Sequence, residues 1–461
     1  MKVLKFGGTS VGTVSSVTAI QNIASRITTP MVIVVSALGG VTDKLISTAK
    51  KASEGDSTYI DDYTTICDRH FAMVEGLIHD DHTRSKLLED LGSLLAQLGD
   101  LFKGIALIGS LPSETLDITV SFGERMSSLI IAAAIPGAEH FDSLDIIKTE
   151  KWFNKNIADT ELTTTLLKDH LGKRSSRIAV MGGFISTDRD SGTITNLGRG
   201  GSDYTAALVA AAFDADALEI WTDVDGFMTT DPRMIPSAKV MNEMSFVESM
   251  ELCSFGAKVI YPPTIYPVFH KNIPIRILNT FNPSAPGTLI TDSPHTCGEQ
   301  CPVRGISSLP GTSLISVKGR KVENLAEINS RIFNSLAKKG IRVILVTQPE
   351  IESHIAFVVS SPETSEAMQA LDEEFAPELS SGSLTGIEVE HDLTTVAIVG
   401  EGITQSHGIS SRVSHTLRRE GIIPLATSSA TSQTTISFVV RNEDTSKAIA
   451  LLHSYFFDTK G

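Results

Sequence analysis

Short apolar runs alternate with amphipathic stretches along the N-terminal part of the chain. The apolar runs predict buried strands, and they lie at Val3–Phe6, Met31–Ala37, Ile178–Met181, Ala217–Trp221 and Ile273–Leu278. Ser85–Phe102 and Asp203–Ala212 instead repeat apolar residues at a helical period. Strands that alternate with helices in this way predict an α/β domain with a largely parallel sheet.

Four of the predicted strands run directly into clusters of Gly, Ser, Thr or Asp. The clusters are Gly7–Ser10, Ser36–Asp43, Gly182–Ser186 and Thr222–Gly226. Ligands of parallel α/β sheets bind beyond the carboxyl ends of the strands. The pattern therefore predicts a ligand site at that edge of the sheet.

The last third of the chain repeats itself at a constant offset of 81 residues. Gly319 and Gly400 each end a strand-like run, and Gly340 and Gly421 each end an amphipathic helix. A constant offset across strand, helix and strand indicates an internal repeat. Each copy has the pattern strand–helix–strand–strand–helix, so we predict two small α+β modules that pair side by side, with ligand sites between modules.

Composition and charge narrow the class of protein. At roughly 100–200 residues per domain, the 461 residues predict about three domains. A net charge of −15 disfavours nucleic acid and acidic membranes as partners, because both require a basic face. Met1–Phe6 is too short for the apolar region of a signal peptide, and no apolar run approaches the length of a membrane span. Four cysteines in this length make no disulfide framework, so we expect a cytoplasmic protein.

Two of the cysteines, Cys297 and Cys301, are candidate metal ligands. Cys297 and Cys301 are spaced C-x3-C, with His295 nearby. No second pair of ligands accompanies them, so we favour a polar linker over 292–302 with reduced thiols.

A glycine pair with a neighbouring lysine follows the first predicted strand, in Lys5–Ser10. Glycines at a strand end let backbone N–H groups approach phosphate oxygens, and a lysine beside them neutralises charge on a transferred phosphoryl group. A plain turn between strand and helix is the alternative. The segment is not a Walker A loop, and no protein-kinase motif is present.

A second glycine-rich segment, Leu197–Thr205, opens an Ala-rich helix. Arg199 is suited to hold a carboxylate with its planar fork of donors. The structural alternative is that Ser202 or Asp203 caps the helix. The density of glycine and charge favours a functional site.

Three further segments carry candidate chemistry. Trp221–Gly226, which continues to Arg233, lacks the spacing and the terminal Glu of a calcium loop, so we interpret it as a nucleotide-contacting loop. Lys258 follows a turn of small residues and is a candidate second phosphate clamp, although a lone lysine is usually just solvated. Glu124 in an apolar setting is suited to bind a substrate ammonium; the alternative is an acid that favours a helix N-terminus.

Taken together, these segments resemble the aspartate kinase branch of the amino acid kinase family. The matching segments are Lys5–Ser10 (K-F-G-G-T-S), Val35–Thr42, Phe122–Ser127, Leu197–Tyr204, Trp221–Arg233 and Gly256–Val259 (G-A-K-V). The repeat resembles the tandem ACT modules of these enzymes. The resemblance covers the chain from its first residues to its end.

The resemblance implies an amino-acid kinase fold, α/β with a largely parallel sheet between helix layers, plus two α+β ACT modules of βαββαβ pattern. The implied boundaries are 1–292 for the catalytic domain, 303–390 for the first module and 391–461 for the second. In this family the first module is inserted into the second. Residues 303–307 are therefore expected to lend a strand to the second module.

The implied activity is that of an ATP-dependent phosphotransferase with a carboxylate acceptor. It would convert ATP and L-aspartate to ADP and 4-phospho-L-aspartate, the first step towards lysine, threonine and methionine. Mg²⁺ is implied because ATP phosphates need it for in-line transfer. An amino acid is expected to act as feedback effector at the ACT modules, and ACT pairing across chains implies a homodimer or a larger assembly.

By the same resemblance, site roles fall on residues that match the family's motifs. Lys5, Arg199, Asp203 and Lys258 would be catalytic. Thr42, Glu124, Arg199 and Ser202 would hold aspartate, with Arg199 on a carboxylate and Glu124 on the ammonium. The nucleotide contacts would be Lys5, Gly7, Gly8, Thr222, Asp223, Met228, Arg233, Lys258 and Val259. No metal ligand is assigned to the protein.

The chain departs from the family pattern in three places. Met228 stands where many relatives have Tyr, and Tyr261-Pro262-Pro263 stands where many have His-Pro after G-A-K-V. The effector motif around Gln348 has also diverged, and Ser429 occupies the equivalent position of the second module. The alternative class is thus a non-catalytic amino-acid-binding regulator, against which the retained Lys5, Arg199, Asp203 and Lys258 argue.

The end of the chain resembles another part of these enzymes. Residues 451–457 are similar to the segment that precedes the dehydrogenase half of bifunctional aspartokinase–homoserine dehydrogenases. No G-x-G-x-x-G follows a strand, so we predict no dehydrogenase activity in these 461 residues.

Overall fold

The structure is a computed structural model that describes residues 1–152, 155–292, 302–319, 325–348, 354–401, 403, 406, 408–429 and 434–458. The chain divides into two compact units. The first unit comprises Met1–Phe227, Val240–Phe246 and Val259–His295, and the second comprises Met228–Lys239, Val247–Lys258 and Thr296–Gly461. Two short segments from the middle of the chain therefore belong with the C-terminal repeat, whereas the sequence suggested one boundary near residue 292.

The first unit contains strands and helices in alternation. Its strands are β1 (Lys2–Phe6), β2 (Met31–Val35), β3 (Ala138–Phe141), β4 (Lys148–Trp152), β5 (Lys155–Ala158), β6 (Ile178–Gly182), β7 (Ile185–Asp188), β8 (Ile194–Asn196), β9 (Ala217–Thr222), β10 (Glu243–Ser245), β11 (Ile275–Asn279) and β12 (Thr288–Thr291). Its helices are α1 (Gly8–Val11), α2 (Val14–Arg26), α3 (Val41–Ser53), α4 (Tyr59–Leu77), α5 (Asp81–Ile108), α6 (Ser113–Ala134), α7 (Ser143–Ile146), α8 (Thr160–Gly172), α9 (Gly201–Ala212) and α11 (Tyr266–Phe269), while α10 (Phe246–Ser254) continues into the second unit.

Eight strands of the first unit form one sheet in the order β10-β12-β11-β9-β1-β2-β6-β3. All neighbours are parallel except β11 and β12. The predicted largely parallel sheet is therefore confirmed. Four strands with polar clusters at their ends, β9, β1, β2 and β6, are consecutive neighbours, so those clusters meet at one edge. A second sheet, β5-β4-β7-β8, had no counterpart among the predicted strands.

Helices cover both faces of the large sheet. Leu4 and Phe6 of β1 join a core cluster with apolar residues of α2 to α6. Val3 points to the opposite face because side chains alternate along a strand, and α9 packs against β1, β2 and β9. All five residues of β2 are buried, as a strand covered on both sides requires.

One helix of the described part of the chain, α5, is long and apolar enough by length and composition to cross a membrane. A helix in the core of a soluble domain passes the same test. Leu91, Leu98 and Phe102 of α5 are buried in the core cluster of the first unit.

The second unit contains one six-stranded sheet and the helices that cover it. Its elements are β13 (Gly305–Gly319), α12 (Leu325–Lys338), β14 (Leu345–Thr347), β15 (His354–Ser360), α13 (Thr364–Glu374), α14 (Ala376–Ser381), β16 (Leu384–Val399), α15 (Ile409–Arg419), β17 (Ala426–Ser429), β18 (Thr435–Arg441) and α16 (Thr445–His453). The strand order is β14-β15-β13-β16-β18-β17.

The repeat inferred from the sequence recurs in the elements. β15 and β18 begin and end 81 residues apart, and α13 and α16 begin 81 residues apart. The buried helix residues Ile332 and Val413 correspond in the same way. The start of β13, which we expected to be lent to the second module, pairs with the end of β16: Gly305 lies opposite Val399 and Ser307 opposite Ala397.

Most of the cysteine-containing segment that we interpreted as a linker lies outside the described residues. His295, Cys297 and Cys301 all lie there, as does the stretch 349–353 of the diverged effector motif. Cys67 and Cys253 form no disulfide with any described residue. Within the described ranges, no group of three or more His, Cys, Asp or Glu side chains could hold a metal ion.

Candidate active site

A cavity of about 390 Å³ opens in the first unit at the carboxyl ends of its central strands. It is lined by residues from five places in the sequence that the strand ends bring together. Seven of the predicted site residues line it: Lys5, Gly8, Thr42, Glu124, Arg199, Ser202 and Asp203. The predicted ligand site at this edge of the sheet thus corresponds to a real concave surface.

Lys5 lies near the end of β1 and forms an ion pair with Asp203 of α9. The distance from Lys5 Nζ to Asp203 Oδ1 is 2.6 Å, and the two side chains are only 13% and 11% exposed. Asp203 does not cap the helix, and neither does Ser202, because the N-cap position is Gly200 and no side chain accepts a capping hydrogen bond there. The capping alternative is therefore wrong, and the charge of Asp203 is directed to Lys5.

Ser202 links α9 to the end of β2. The Ser36 hydroxyl donates a hydrogen bond to Ser202 Oγ at 3.0 Å. Ser36 lines the cavity but was not among the predicted site residues. The polar cluster after β2 was the signal that could have found it.

Glu124 lies in the middle of α6, which begins at Ser113, so the alternative of a helix N-terminal acid is excluded. Its Oε1 accepts a hydrogen bond from the backbone N–H of Ala37 at 3.0 Å, while Oε2 is buried and has no hydrogen-bond partner among the described residues. Burial raises the pKa of the Glu124 carboxyl to about 8. A buried carboxylate oxygen without a partner is suited to receive a cation.

Arg199 supplies the opposite charge from the loop before α9. The residue is exposed, lines the cavity, and makes no hydrogen bond or ion pair with any described residue. Gly198 and Gly200 on either side of it have left-handed backbones, with φ of 71° and 70°. The guanidinium is therefore a free cation beside a cavity that also contains a carboxyl group.

Thr42 lies in the first turn of α3 and lines the same cavity. Its neighbour Asp43 and the aromatic Phe184 also line it, and neither was predicted. Phe184 has a φ of 66°, which is uncommon for a non-glycine residue. Phe184 belongs to the Gly182–Ser186 cluster at the end of β6, which was the signal that could have found it, but no local pattern predicts its left-handed backbone.

Three predicted nucleotide residues of the first unit lie at strand ends: Gly7 after β1, and Thr222 and Asp223 at the end of β9. Gly7 follows β1, and its N–H donates to the carbonyl of Trp221 at 3.3 Å. Thr222 ends β9, the neighbour of β1, and donates its hydroxyl proton to Asp223 at 3.2 Å. Gly7, Thr222, Asp223 and Val259 do not line the cavity.

The remaining predicted nucleotide residues, Met228, Arg233 and Lys258, belong to the second unit and are not among the cavity-lining residues. Arg233 forms a two-pronged ion pair with Asp231, with 3.0 Å from Nε to Oδ1 and 2.6 Å from Nη2 to Oδ2. This pairing lowers the pKa of the Asp231 carboxyl. Arg233 would have to leave or share Asp231 to bind a phosphate.

The segment that carries Met228 and Arg233 is held by the C-terminal part of the second unit. The Thr229 carbonyl accepts from the Ile306 N–H at 2.8 Å. Thr229 Oγ1 accepts from the Lys239 N–H at 3.0 Å and is 2.9 Å from His453 Nε2. The Thr229 hydroxyl thus links this segment to Lys239 and to the His453 ring.

Comparison with known proteins agrees with the resemblance. Residues 1–279 match the Amino acid kinase family, and residues 315–375 and 396–456 each match the ACT domain. The chain is 31% identical over 479 residues to a bifunctional aspartokinase/homoserine dehydrogenase of Haemophilus influenzae, in an alignment that covers 100% of this chain and 57% of the relative. The chain therefore spans little more than half the length of that bifunctional protein.

Two further relatives are covered almost completely. The chain is 30% identical over 462 residues to lysine-sensitive aspartokinase 3 of Escherichia coli, with 99% of both chains covered. The crystal structure of E. coli aspartokinase III in complex with aspartate and ADP has a TM-score of 0.85 and 28% identity, covering 99% of this chain and 100% of that chain. With its family match over more than half of its length, the chain belongs to the amino acid kinase family.

Proposed function

We propose that this protein is an aspartate kinase, which transfers the γ-phosphoryl group of Mg-ATP to the side-chain carboxylate of L-aspartate. The observation that carries the proposal is a cavity lined by both an unpartnered carboxyl oxygen, on Glu124, and a free guanidinium, on Arg199. An amino acid with a carboxylate acceptor presents the complementary charges. The similarity to aspartokinases along the whole chain supports the same assignment.

In this proposal each side chain of the cavity acts by position and charge. Arg199 holds a carboxylate of aspartate, Glu124 holds the ammonium, and the Thr42 hydroxyl adds a hydrogen bond. Ser202 orients the substrate together with Ser36. These contacts hold the acceptor oxygen in place for attack on phosphorus, which is the main requirement of phosphoryl transfer.

Lys5 neutralises charge on the transferred phosphoryl group, and Asp203 keeps its ammonium in place. ATP enters with its Mg²⁺ as substrate, and Gly7, Gly8, Thr222, Asp223 and Val259 contact it in the proposal. Met228, Arg233 and Lys258 are the further nucleotide contacts that the family resemblance implies. The acceptor carboxylate attacks the γ-phosphorus, the bond from phosphorus to the bridging oxygen breaks, and ADP leaves with that bond's electrons.

The reaction is tested by trapping its product. An acyl phosphate reacts with hydroxylamine to give a hydroxamate, so purified protein with Mg-ATP, aspartate and hydroxylamine should yield aspartyl hydroxamate. Glutamate and a reaction without ATP serve as controls. Product from glutamate, and none from aspartate, would show that the substrate assignment is wrong.

We also propose that the C-terminal unit regulates the enzyme through two ACT modules, with approximate bounds 303–390 and 391–461 after a catalytic domain at 1–292. An amino acid bound between modules would shift the equilibrium between enzyme states. Because one relative is named lysine-sensitive, lysine is the first effector to test, followed by threonine and methionine. Activity that none of these alters would contradict the proposal, and a monomeric mass would contradict the expected dimer.

A further inference from the structure

We propose that Asp117 and Asn196 are positioning residues that tie the Arg199 loop to helix α6 and thereby fix the separation between Arg199 and Glu124. The inference rests on the proposed function, because it assigns those two residues to opposite ends of one amino-acid substrate. Asp117 and Asn196 do not line the cavity. They act through the backbone segments that carry Arg199 and Glu124, which line the cavity.

Asn196 is the last residue of β8 and directly precedes the loop of residues 197–200. Its side-chain Oδ1 accepts a hydrogen bond from the N–H of Gly198 at 2.9 Å. A side-chain oxygen that accepts from the backbone two residues ahead closes an Asx turn. The turn holds Gly198 in its left-handed conformation immediately before Arg199.

The other end of the same amide reaches α6. Asn196 Nδ2 donates to Asp117 Oδ1 at 2.6 Å. A backbone N–H can only donate and an ionised carboxylate can only accept, so these two partners together leave one orientation for the amide. Asn196 is therefore a bridge with a defined direction, from the Gly198 N–H on one side to the Asp117 carboxylate on the other.

Helix α6 also carries Glu124, seven residues after Asp117. Seven residues are close to two helical turns, so both side chains lie on the same side of α6, about 10 Å apart along its axis. One rigid element thus carries the carboxyl that meets the substrate ammonium and the carboxyl that anchors the Arg199 loop. The bridge is a direct side-chain link between α6 and the Arg199 loop, beside the backbone hydrogen bond that the Leu197 N–H donates to the Phe184 carbonyl at 2.9 Å.

The bridge matters because it holds the backbone next to Arg199, whose own side chain makes no anchoring contact with any described residue. Its guanidinium has no partner among the described residues, and the flanking glycines, Gly198 and Gly200, give the loop backbone more freedom than other residues would. A shift of about 1 Å in a substrate-positioning group costs on the order of 100-fold in rate. A loosened loop should also accept a longer substrate, and glutamate is longer than aspartate by one methylene.

The decisive variant is Asn196→Asp. Its carboxylate keeps an acceptor for the Gly198 N–H, so the Asx turn remains, but it faces the Asp117 carboxylate and breaks the tie to α6. We expect the KM for aspartate to rise about tenfold, the loss produced by one or two hydrogen bonds. The KM for Mg-ATP should stay unchanged, and the preference for aspartate over glutamate in kcat/KM should fall.

Adding Asp117→Asn to that variant restores the bridge in the opposite sense, because the new amide donates to the new carboxylate. The double variant should recover the KM for aspartate to within about threefold of the original enzyme, within the scatter expected for a re-formed hydrogen bond. The matched control combines Asn196→Asp with Asp169→Asn, which removes the same charge at an exposed position of α8 and should rescue nothing.

Thermal unfolding of each variant separates positioning from folding. A structural role alone predicts that Asn196→Asp lowers the melting temperature and weakens activity towards aspartate and Mg-ATP equally, with no change in the preference for aspartate over glutamate; that result would overturn the inference. An unchanged KM for aspartate in Asn196→Asp would do the same. Failure of the unaltered enzyme to phosphorylate aspartate would instead overturn the proposed function, so the two failures are distinguishable.

Discussion

The ammonium of Lys5 and the carboxylate of Asp203 are 2.6 Å apart and join the end of strand β1 to the first turn of helix α9. Both residues were singled out by the sequence, but only the fold makes them partners. The pair fixes the direction of the Lys5 side chain within the cavity. A lysine held in place can meet a phosphoryl group without the entropy loss of ordering a free side chain.

Replacing Lys5 with methionine should lower kcat by about 100- to 1000-fold, as expected for loss of one charge that stabilises a transition state. Methionine fills a similar volume, so the fold should be retained. The measurement is the hydroxamate assay at saturating Mg-ATP and aspartate. Lys50→Met, at an exposed position of α3, is the matched control and should keep full activity. Equal rates for the two variants would show that Lys5 takes no part in catalysis.

The affinity for aspartate should depend on pH through Glu124. The pKa of this buried carboxyl is about 8, so below pH 8 it is mostly neutral. A bound ammonium favours the carboxylate, and binding must therefore release a proton. The KM for aspartate should rise by up to tenfold for each pH unit below 8 and level off above it.

Steady-state kinetics between pH 6 and 9, with proton release measured by calorimetry in two buffers, would check this dependence. The other charged groups that line the cavity are Lys5, Asp43, Arg199 and Asp203. Glu124→Gln should weaken aspartate binding and remove the pH dependence together. Binding that releases no proton at pH 7 would contradict the assignment. The raised pKa also implies that this group's contribution to stability is largest at low pH and declines as pH rises towards 8.

Gly200→Ala should both destabilise the first unit and raise the KM for aspartate. The backbone at Gly200 has a φ of 70°, and a Cβ there would lie 2.3 Å from the Cβ of Tyr261. Gly192→Ala is the matched control: its φ is 69°, but nothing lies within 4 Å of the added atom. The control should cost about 1–2 kcal/mol from the left-handed conformation alone. Gly200→Ala should have a clearly lower melting temperature than Gly192→Ala. Equal melting temperatures would mean that the Tyr261 side chain moves to make room for the added methyl group.

Arg331 should stabilise the first copy of the repeat. Arg412, its equivalent in the second copy, should contribute little to stability. Arg331 Nε lies 2.7 Å from Glu374 Oε1, its Nη1 lies 2.5 Å from Glu378 Oε1, and its guanidinium carbon lies 4.5 Å from the centre of the Phe375 ring. Arg412 occupies the equivalent position, 81 residues on, and is exposed. The residue equivalent to Glu374 is Tyr455, which cannot form the ion pair.

Arg331→Met should lower the free energy of unfolding of the second unit by about 1–2 kcal/mol, because it removes an ion-pair network and a cation–π contact. Arg412→Met should stay within about 0.5 kcal/mol of the original protein. Hydrogen exchange of the amides of β15, measured in the full chain, would report the difference. Similar protection of β15 in the two variants would contradict the prediction.

Much of the fold follows from local pattern. Apolar runs indicated β1, β2, β6, β9 and β11, although the predicted strand at Met31–Ala37 ends at Val35. The pattern did not indicate β4, β5, β7 and β8, because their residues are mixed in polarity. Two of their pairings join neighbouring strands, β4 with β5 and β7 with β8, and only the pairing of β4 with β7 joins distant segments. The 81-residue offset predicted the paired modules because repeated burial requires repeated apolar positions.

The residue types of the site and their order along the chain could be predicted without the structure. Lys5, Glu124, Arg199 and Asp203 stood out because glycines and charges cluster at the ends of apolar runs. Which contacts two of these residues make depends on the tertiary structure. Asp203 pairs with Lys5 instead of capping α9, and Glu124 lies in mid-helix with one oxygen free. The bridge from Asp117 through Asn196 to Gly198 joins residues 79 positions apart. Such relationships depend on which strand ends and helix faces are adjacent in space, and no local pattern of polarity encodes that adjacency.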